Sequence, residues 1–263
     1  MILQQKNKHP RDDAIWFDEE PHLYYVNGEK YTNSVTKFVH HFFPHFDQDK
    51  VIDNMMLGKN WSKSPYFGMT KKEIKEQWKK NGQEASSMGT HLHKSIELYY
   101  NQETVDNDSP EYQYFLNFDK THVQGKMEPY RTEWEVYDED IKLAGSIDKV
   151  YKLISDDGSE KYVIYDWKRS KGIKETNNFE SAYPPIEHLP NCNKWQYSLQ
   201  LNTYKYMLEK NYGIEIEGMY LVILHPNNKS YIRMSVPNMQ EEVVSLLYNY
   251  NLSMNNKKNK LEN

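Results

Sequence analysis

Two strand-like runs, each carrying an aspartate, constrain this chain more than any other feature. Lys142–Ile154 and Tyr162–Asp166 are rich in β-branched and aromatic residues, and the turn-forming Ser155–Gly158 (SDDG) separates them. The pattern predicts an antiparallel hairpin. Asp148, in Gly145-Ser146-Ile147-Asp148, lies on the first strand; Asp166, in Asp166-Trp167-Lys168, follows eighteen residues later on the second. If both point to one face their carboxylates come close together, and two such groups stay ionised only with a cation between them. Oxygen ligands of this kind suit Mg2+ or Mn2+. Lys168 stands two residues beyond Asp166, so strand alternation turns it to the same face. An ammonium there can orient water or stabilise charge developing on a phosphate. Taken one at a time, these are ordinary solvent-facing strand charges. Their context favours a site: Val163-Ile164-Tyr165 runs straight into Asp166, and Gly145 permits close backbone approach.

The rest of the chain reads as helices around this hairpin. Asn27-Gly28, between His22–Val26 and Glu29–Thr32, is a strong signal for a second, smaller hairpin. Asn33 or Ser34 caps a helix running to about Phe43. Gln48–Leu57, Lys71–Lys80, Gln83–Tyr100 and Glu111–Val123 read as further helices, with a loop at Asn81-Gly82. After strands at Thr132–Tyr137, Lys142–Ile154 and Tyr162–Asp166 comes an irregular stretch, 172–193. An amphipathic helix Lys194–Lys210 follows, stopped by Gly213. Strands at Gly218–Leu224 and Tyr231–Val236, a helix from Pro237 to about Leu252 and a frayed polar tail complete the chain. The order predicts an α/β core with a helical N-terminal cap.

Composition narrows the chemistry. A net charge of −5 over 263 residues excludes a protein that holds nucleic acid by bulk positive charge. No apolar run is long enough to span a bilayer, and the start lacks a signal-peptide stretch. The single cysteine, Cys192, cannot build a disulfide framework, a four-cysteine zinc site or a cysteine-held iron–sulfur cluster. A reducing, intracellular compartment is expected. Lys far outnumbers Arg, and Asn is abundant, which reads as an A/T-rich coding bias.

Two further clusters bear on function. In Gly89-Thr90-His91-Leu92-His93-Lys94-Ser95-Ile96-Glu97, His93 and Glu97 are spaced to share a helix face and reach one ion. His91 and His93 point about 200° apart on a helix, which argues against a two-histidine zinc site. Gln196, Gln200 and Tyr204 step by four along one helix, where amide and phenol groups can contact phosphate or a base.

These segments, in order, resemble the RecB-type branch of the PD-(D/E)XK nuclease superfamily. That branch has a Gly-x-x-x-His-x-x-x-Glu helix, a Gly-x-x-Asp strand, an Asp/Glu-x-Lys strand and a Gln-x-x-x-Tyr helix. Ser34-Val35-Thr36 is similar to a Ser-Val-Thr near the start of mitochondrial genome maintenance exonucleases. The likeness extends to CRISPR-associated RecB-like nucleases, although those often carry four cysteines for a cluster, and to a RecB-like nuclease of a viral defence element. The resemblance implies a restriction-endonuclease-like core, a mixed sheet flanked by helices, spanning 83–254. A hairpin and helical cap over 1–82 precedes it, and a polar tail over 255–263 follows. It implies that His93, Asp148, Asp166 and the Trp167 carbonyl bind metal and that Lys168 is the catalytic lysine. Glu97 would support the metal or its waters, with Gln200 and Tyr204 facing DNA.

The expected activity is Mg2+- or Mn2+-dependent hydrolysis of DNA, acting on ends or single strands in DNA processing or defence. Lys71, Lys72, Lys75 and Lys79 fall at helical spacing and can form one basic stripe for phosphates. A non-catalytic nuclease-like DNA-binding subunit, an endonuclease with an open cleft and a carboxylate-pair glycosidase are the rivals. The intact Asp166–Lys168 pair argues against the binder, and the adjacent lysine against the glycosidase. Homo-oligomerisation and a helicase partner are left open.

Overall fold

The computed structural model describes residues 2–154 and 158–261, with side chains described as far as residue 252. Of the expected SDDG turn, Ser155, Asp156 and Asp157 lie outside the described residues.

Asn27 and Gly28 both take positive φ (50° and 79°) and close β2 (Leu23–Val26) onto β3 (Glu29–Tyr31), as the two-residue hairpin requires. β1 (Ile15–Asp18) adds antiparallel to β2, a strand too short to announce itself before its partner is known. The inner face of this small sheet (Ile15, Tyr24, Val26, Tyr31) packs on Tyr137 and Ala144 of the main sheet. The preceding α1 (Ile2–Lys6) and a tight turn at Pro10–Ala14 are tied down by Asp12, which accepts from both Arg131 and the Trp134 indole.

Ser34 caps α2 (Val35–His40), its hydroxyl accepting from the Lys37 amide at 3.2 Å. α3 (Gln48–Leu57) has the expected bounds. The two helices expected over Lys71–Lys80 and Gln83–Tyr100 are instead one, α4 (Lys71–Tyr100), opened by a Thr70/Glu73 capping box. A glycine inside a helix costs about 1 kcal/mol relative to alanine. Buried contacts at both ends of α4 outweigh that: Ile74 near its start, and Leu92, Ile96 and Tyr100 near its end. Between them Lys79–Met88 is exposed on every side, so the helix crosses solvent unbraced. The domain boundary expected at 82/83 falls inside it. α5 (Pro110–Phe118) follows and continues as a wider turn over Asp119–Val123.

The main sheet has six strands: β4 (Asn33–Ser34), β5 (Met127–Asp138), β6 (Leu143–Leu153), β7 (Tyr162–Lys168), β8 (Ile216–Ile223) and β9 (Ile232–Ser235). Their order is β4-β6-β7-β8-β9, and β5 pairs antiparallel along β6. β7 and β8 are parallel, joined through α6 (Asn193–Asn211), and β4 runs parallel to β6. One face carries Tyr151, Val163, Tyr165 and Trp167 against α4 and α5. The other carries Val150, Ile164 and Leu221 against α2, α6 and α7 (Gln240–Leu261). α7 runs past the expected end near Leu252 and through most of the expected polar tail, because nothing after Pro237 is a glycine or proline that would stop it. The fold is a mixed α/β sheet flanked by helices.

Candidate active site

β6 is the strand on which the site is built, and its pairing explains the geometry. Against β7 its register runs from Lys152↔Tyr162 to Lys149↔Tyr165, and one further step would set Asp148 opposite Asp166. Regular pairing stops there. The Asp148 carboxylate takes the Trp167 amide instead, with Oδ2 accepting at 2.8 Å, so a side chain replaces the next rung of the ladder. Against β5, Thr132↔Lys149 and Trp134↔Ile147 bracket Asp148, which puts Glu133 opposite it. Directly opposed residues of an antiparallel pair share a face. Three acids, Glu133, Asp148 and Asp166, therefore form a row across three strands. Glu133 adopts a left-handed φ of 44°, a conformation an L-residue holds only when its surroundings impose it.

His93 completes the row from α4. Its Nε2 lies 3.0 Å from the Trp167 carbonyl, and Nδ1 faces Asp148 Oδ2 at 3.6 Å and Glu133 Oε1 at 3.8 Å. Donation from Nε2 to a backbone carbonyl fixes the ring and leaves Nδ1 to the carboxylates. His93, Glu133 and Asp148 offer ligand atoms all within 4.8 Å of one another. Asp166 is buried, and the Lys168 ammonium lies 2.7 Å from its Oδ2. The Tyr197 ring lies 4.5 Å from the Lys168 ammonium.

The titration of these groups reports a surplus of negative charge. Burial pulls the His93 imidazole down, yet Asp148 and Glu133 outweigh it and hold the group up at about 9. Burial raises Asp166 to about 6, with Lys168 opposing and Asp148 adding to the rise. Burial likewise raises Asp148, against the pull of His93. Lys168 is raised despite its burial, by Asp166 and Asp148. A row of acids that holds a proton on a half-buried imidazole is suited to a cation. The donor set fits a hard divalent ion: carboxylate oxygens of Glu133 and Asp148 with one imidazole, beside the Asp166 carboxylate.

The remaining expected residues fall in different places. Asp148, Asp166, Lys168, His93 and the Trp167 carbonyl converge. Glu97 is one turn beyond His93, bound by Lys94 at 2.8 Å, and is not part of the close cluster. Tyr204 is buried, with its phenol against Gly145 and bonded by Gln200, so it supports β6 from below and is not available to face DNA. Gln200 also reaches the Thr36 hydroxyl at 3.4 Å, which links it to the Ser34-Val35-Thr36 segment. Gln196 donates to Asn191. In the basic stripe, Lys71 pairs with Asp53, Lys75 with Asp49 at 2.6 Å, and Lys72 lies 3.9 Å from Glu76. Much of that charge is already answered within the cap. Glu133 was missed by sequence reasoning; Trp134 and Ile147 on paired strands would have revealed it once the β5/β6 register was known.

The sequence pattern of the PD-(D/E)XK nuclease superfamily matches residues 111–258, more than half the chain, and takes in Glu133, Asp148, Asp166 and Lys168. The chain belongs to the PD-(D/E)XK nuclease superfamily. The protein is thus a nuclease of a kind that uses divalent metal, and the superfamily match does not choose among its branches. No curated protein matches the nuclease. A solved structure titled "Crystal structure of SSO0001" aligns with 86% of this chain and 78% of its own, at 13% identity and a TM-score of 0.32. That likeness is too distant to bear on function. No helix among the described residues of the nuclease is long and apolar enough to cross a membrane.

Proposed function

We infer that this nuclease hydrolyses phosphodiester bonds in DNA, working from ends or on single strands, with Mg2+ or Mn2+ held by His93, Glu133, Asp148 and Asp166. The observation that carries the reading is the convergence of Asp148, Asp166 and Lys168 on one face, closed by His93 and the Trp167 carbonyl. A divalent ion bound there polarises the scissile phosphate and lowers the pKa of bound water. Lys168 acts as a cation and donor, because its acidic neighbours hold its proton well above neutral pH. It positions the attacking water or a phosphate oxygen and does not serve as a base. The Trp167 amide and carbonyl fix Asp148 and His93 respectively, so both are oriented before substrate arrives. A DNA-binding subunit without activity has no use for a buried Asp166–Lys168 pair.

The preference for ends and single strands draws support from α4, whose unbraced middle carries α3 and the residues around it away from the core. Lys171 and Lys174, on the segment leaving Lys168, supply cationic groups beside the site that the paired lysines of α4 supply less well. The test is cleavage of end-labelled linear strands against covalently closed single-stranded circles, with Mn2+ and with excess chelator. Linear strands are cut much faster, and chelator abolishes the reaction. Equal rates on circles mean an open cleft and endonuclease action; full activity in chelator refutes the metal reading.

A further inference from the structure

Between Lys168 and the start of α6, residues 169–192 run outside the named helices and strands. This segment leaves directly from the lysine of the site and returns one turn before Tyr197, whose ring lies against that lysine's ammonium. Within it Phe179 is 95% exposed, more than any other large apolar side chain of the described residues. Exposure of a single phenylalanine says little, since scattered surface apolar residues are ordinary. What distinguishes Phe179 is how firmly its backbone is held.

Its amide donates to Asn177 Oδ1 at 3.0 Å, and Asn177 Nδ2 donates to the Asn191 carbonyl at 2.8 Å. On the other side, the Asn191 amide donates to the Glu180 carbonyl at 2.9 Å. Asn191 Nδ2 reaches Glu180 Oε2 and the Pro44 carbonyl, each at 3.2 Å. Ser181 bridges to Pro190, and the Ala182 amide donates to the Leu189 carbonyl at 2.9 Å. Gln196 Nε2 donates to Asn191 Oδ1 at 2.9 Å, so the first glutamine of the α6 stripe braces the same hub. An aromatic ring is thus presented to solvent from a backbone clamped on both sides. Lys171 and Lys174 precede it, Arg169 being already paired with Glu111 at 2.7 Å, and the nearest acid before it, Glu175, is occupied by Lys194 at 2.7 Å.

We propose that Phe179 is a base-stacking residue, receiving an unpaired nucleobase of the substrate strand while the cations before it follow the phosphates. The proposal rests on the nuclease reading above and names how that site takes hold of single-stranded DNA. Every base has a π face, so the contact tolerates any sequence. A ring carried on a clamped backbone loses less conformational entropy on binding than one on a mobile loop, because only its own side-chain torsions remain to be fixed.

The experiment measures binding of single strands carrying 2-aminopurine at successive positions to the full chain bearing Asp166→Asn, and to the same chain with Phe179→Ala, Phe179→Leu or Phe179→Trp added. With Phe179 or Trp present, fluorescence is quenched at one position near the bound end. Phe179→Ala and Phe179→Leu lose the quench and weaken binding about tenfold, the scale of one lost base–aromatic stack. Blunt duplex, which offers no unpaired base, shows no such loss. Unchanged affinity and quench in Phe179→Ala, or an equal loss on duplex, overturns the proposal. Cleavage of linear strands by the unsubstituted protein with Mn2+ is measured alongside. Its absence refutes the nuclease reading, whereas its presence with an inert Phe179 refutes only the stacking role.

Discussion

Replacing Gly145 by alanine tests whether the close approach of α6 to β6 holds the site in place. A Cβ at Gly145 would lie 2.6 Å from the Tyr204 hydroxyl oxygen, 2.8 Å from Cε1 and 3.1 Å from Cζ. Carbon atoms in contact prefer about 3.5–4.0 Å, so the ring must withdraw by roughly 1 Å. It has little room to do so, because Tyr204 is buried in the main core and bonded by Gln200. Overpacking of this kind costs about 1–3 kcal/mol. For a chain of this size each kcal/mol lowers Tm by about 2–4 °C. Thermal melting should therefore fall by about 2–12 °C, and cleavage should fall as well, since Asp148 is three residues along the same strand. Adding Tyr204→Phe removes the atom at 2.6 Å and recovers part of the loss. The recovery stays incomplete, because Cε1 still clashes and the Gln200 bond is gone. A Gly145→Ala protein with unchanged melting and full activity, or a double variant with no recovery, would refute the reasoning.

Asp166→Asn and Lys168→Ala each abolish cleavage and leave melting within a few degrees of the parent; near-normal turnover by either removes it from the site. Glu133→Gln weakens Mn2+ binding in calorimetry, and an unchanged affinity excludes Glu133 from the ligands. Glu135 is raised to about 7 by burial first and by Asp12 second, against Arg131, so the folded state holds its proton more tightly than the unfolded chain. The stability this contributes is present below the ordinary glutamate range and is lost as pH rises through about 7. Because the group is only part-buried, Glu135→Gln should gain on the order of 1–2 kcal/mol at pH 8 and little at pH 4; parallel melting curves across that range contradict the assignment. Gly82 has open space where a Cβ would stand, so Gly82→Ala stabilises by up to about 1 kcal/mol in denaturant unfolding. Destabilisation there would mean that α4 bends at that point.

Local chemistry was legible wherever one short segment decided the outcome. Asn27-Gly28 closed its hairpin, Ser34 capped its helix, and the alternation in Val163–Lys168 put Asp166 and Lys168 on one face. Asp148 joined them because a strand run with a downstream partner strand leaves few registers. The misses share a different cause. Glu133 sits among Glu135, Asp138, Glu139 and Asp140, and only its position opposite Asp148 separates it from them. Tyr204 looked like one polar step on a helix stripe until Gly145 across the layer proved to be the space it fills. Asn81-Gly82 is turn chemistry in isolation, and it was overridden by packing more than a helical turn away on either side.

The bare stretch of α4 ties the cap to the site by geometry of an unusually simple kind. His93 and the residues that meet α3 stand on the same helix, and every residue along Lys79–Met88 between them is exposed. An α-helix turns about 100° and advances about 1.5 Å per residue. One residue inserted in that span would turn α3 and the start of α4 about 100° around the helix axis relative to His93, against the tether that residues 41–47 make to α2. Two would carry them past the far side, and three or four would bring them nearly back in phase, displaced along the axis by roughly 5 Å. The orientation of α3 relative to His93 is therefore encoded as a residue count along α4.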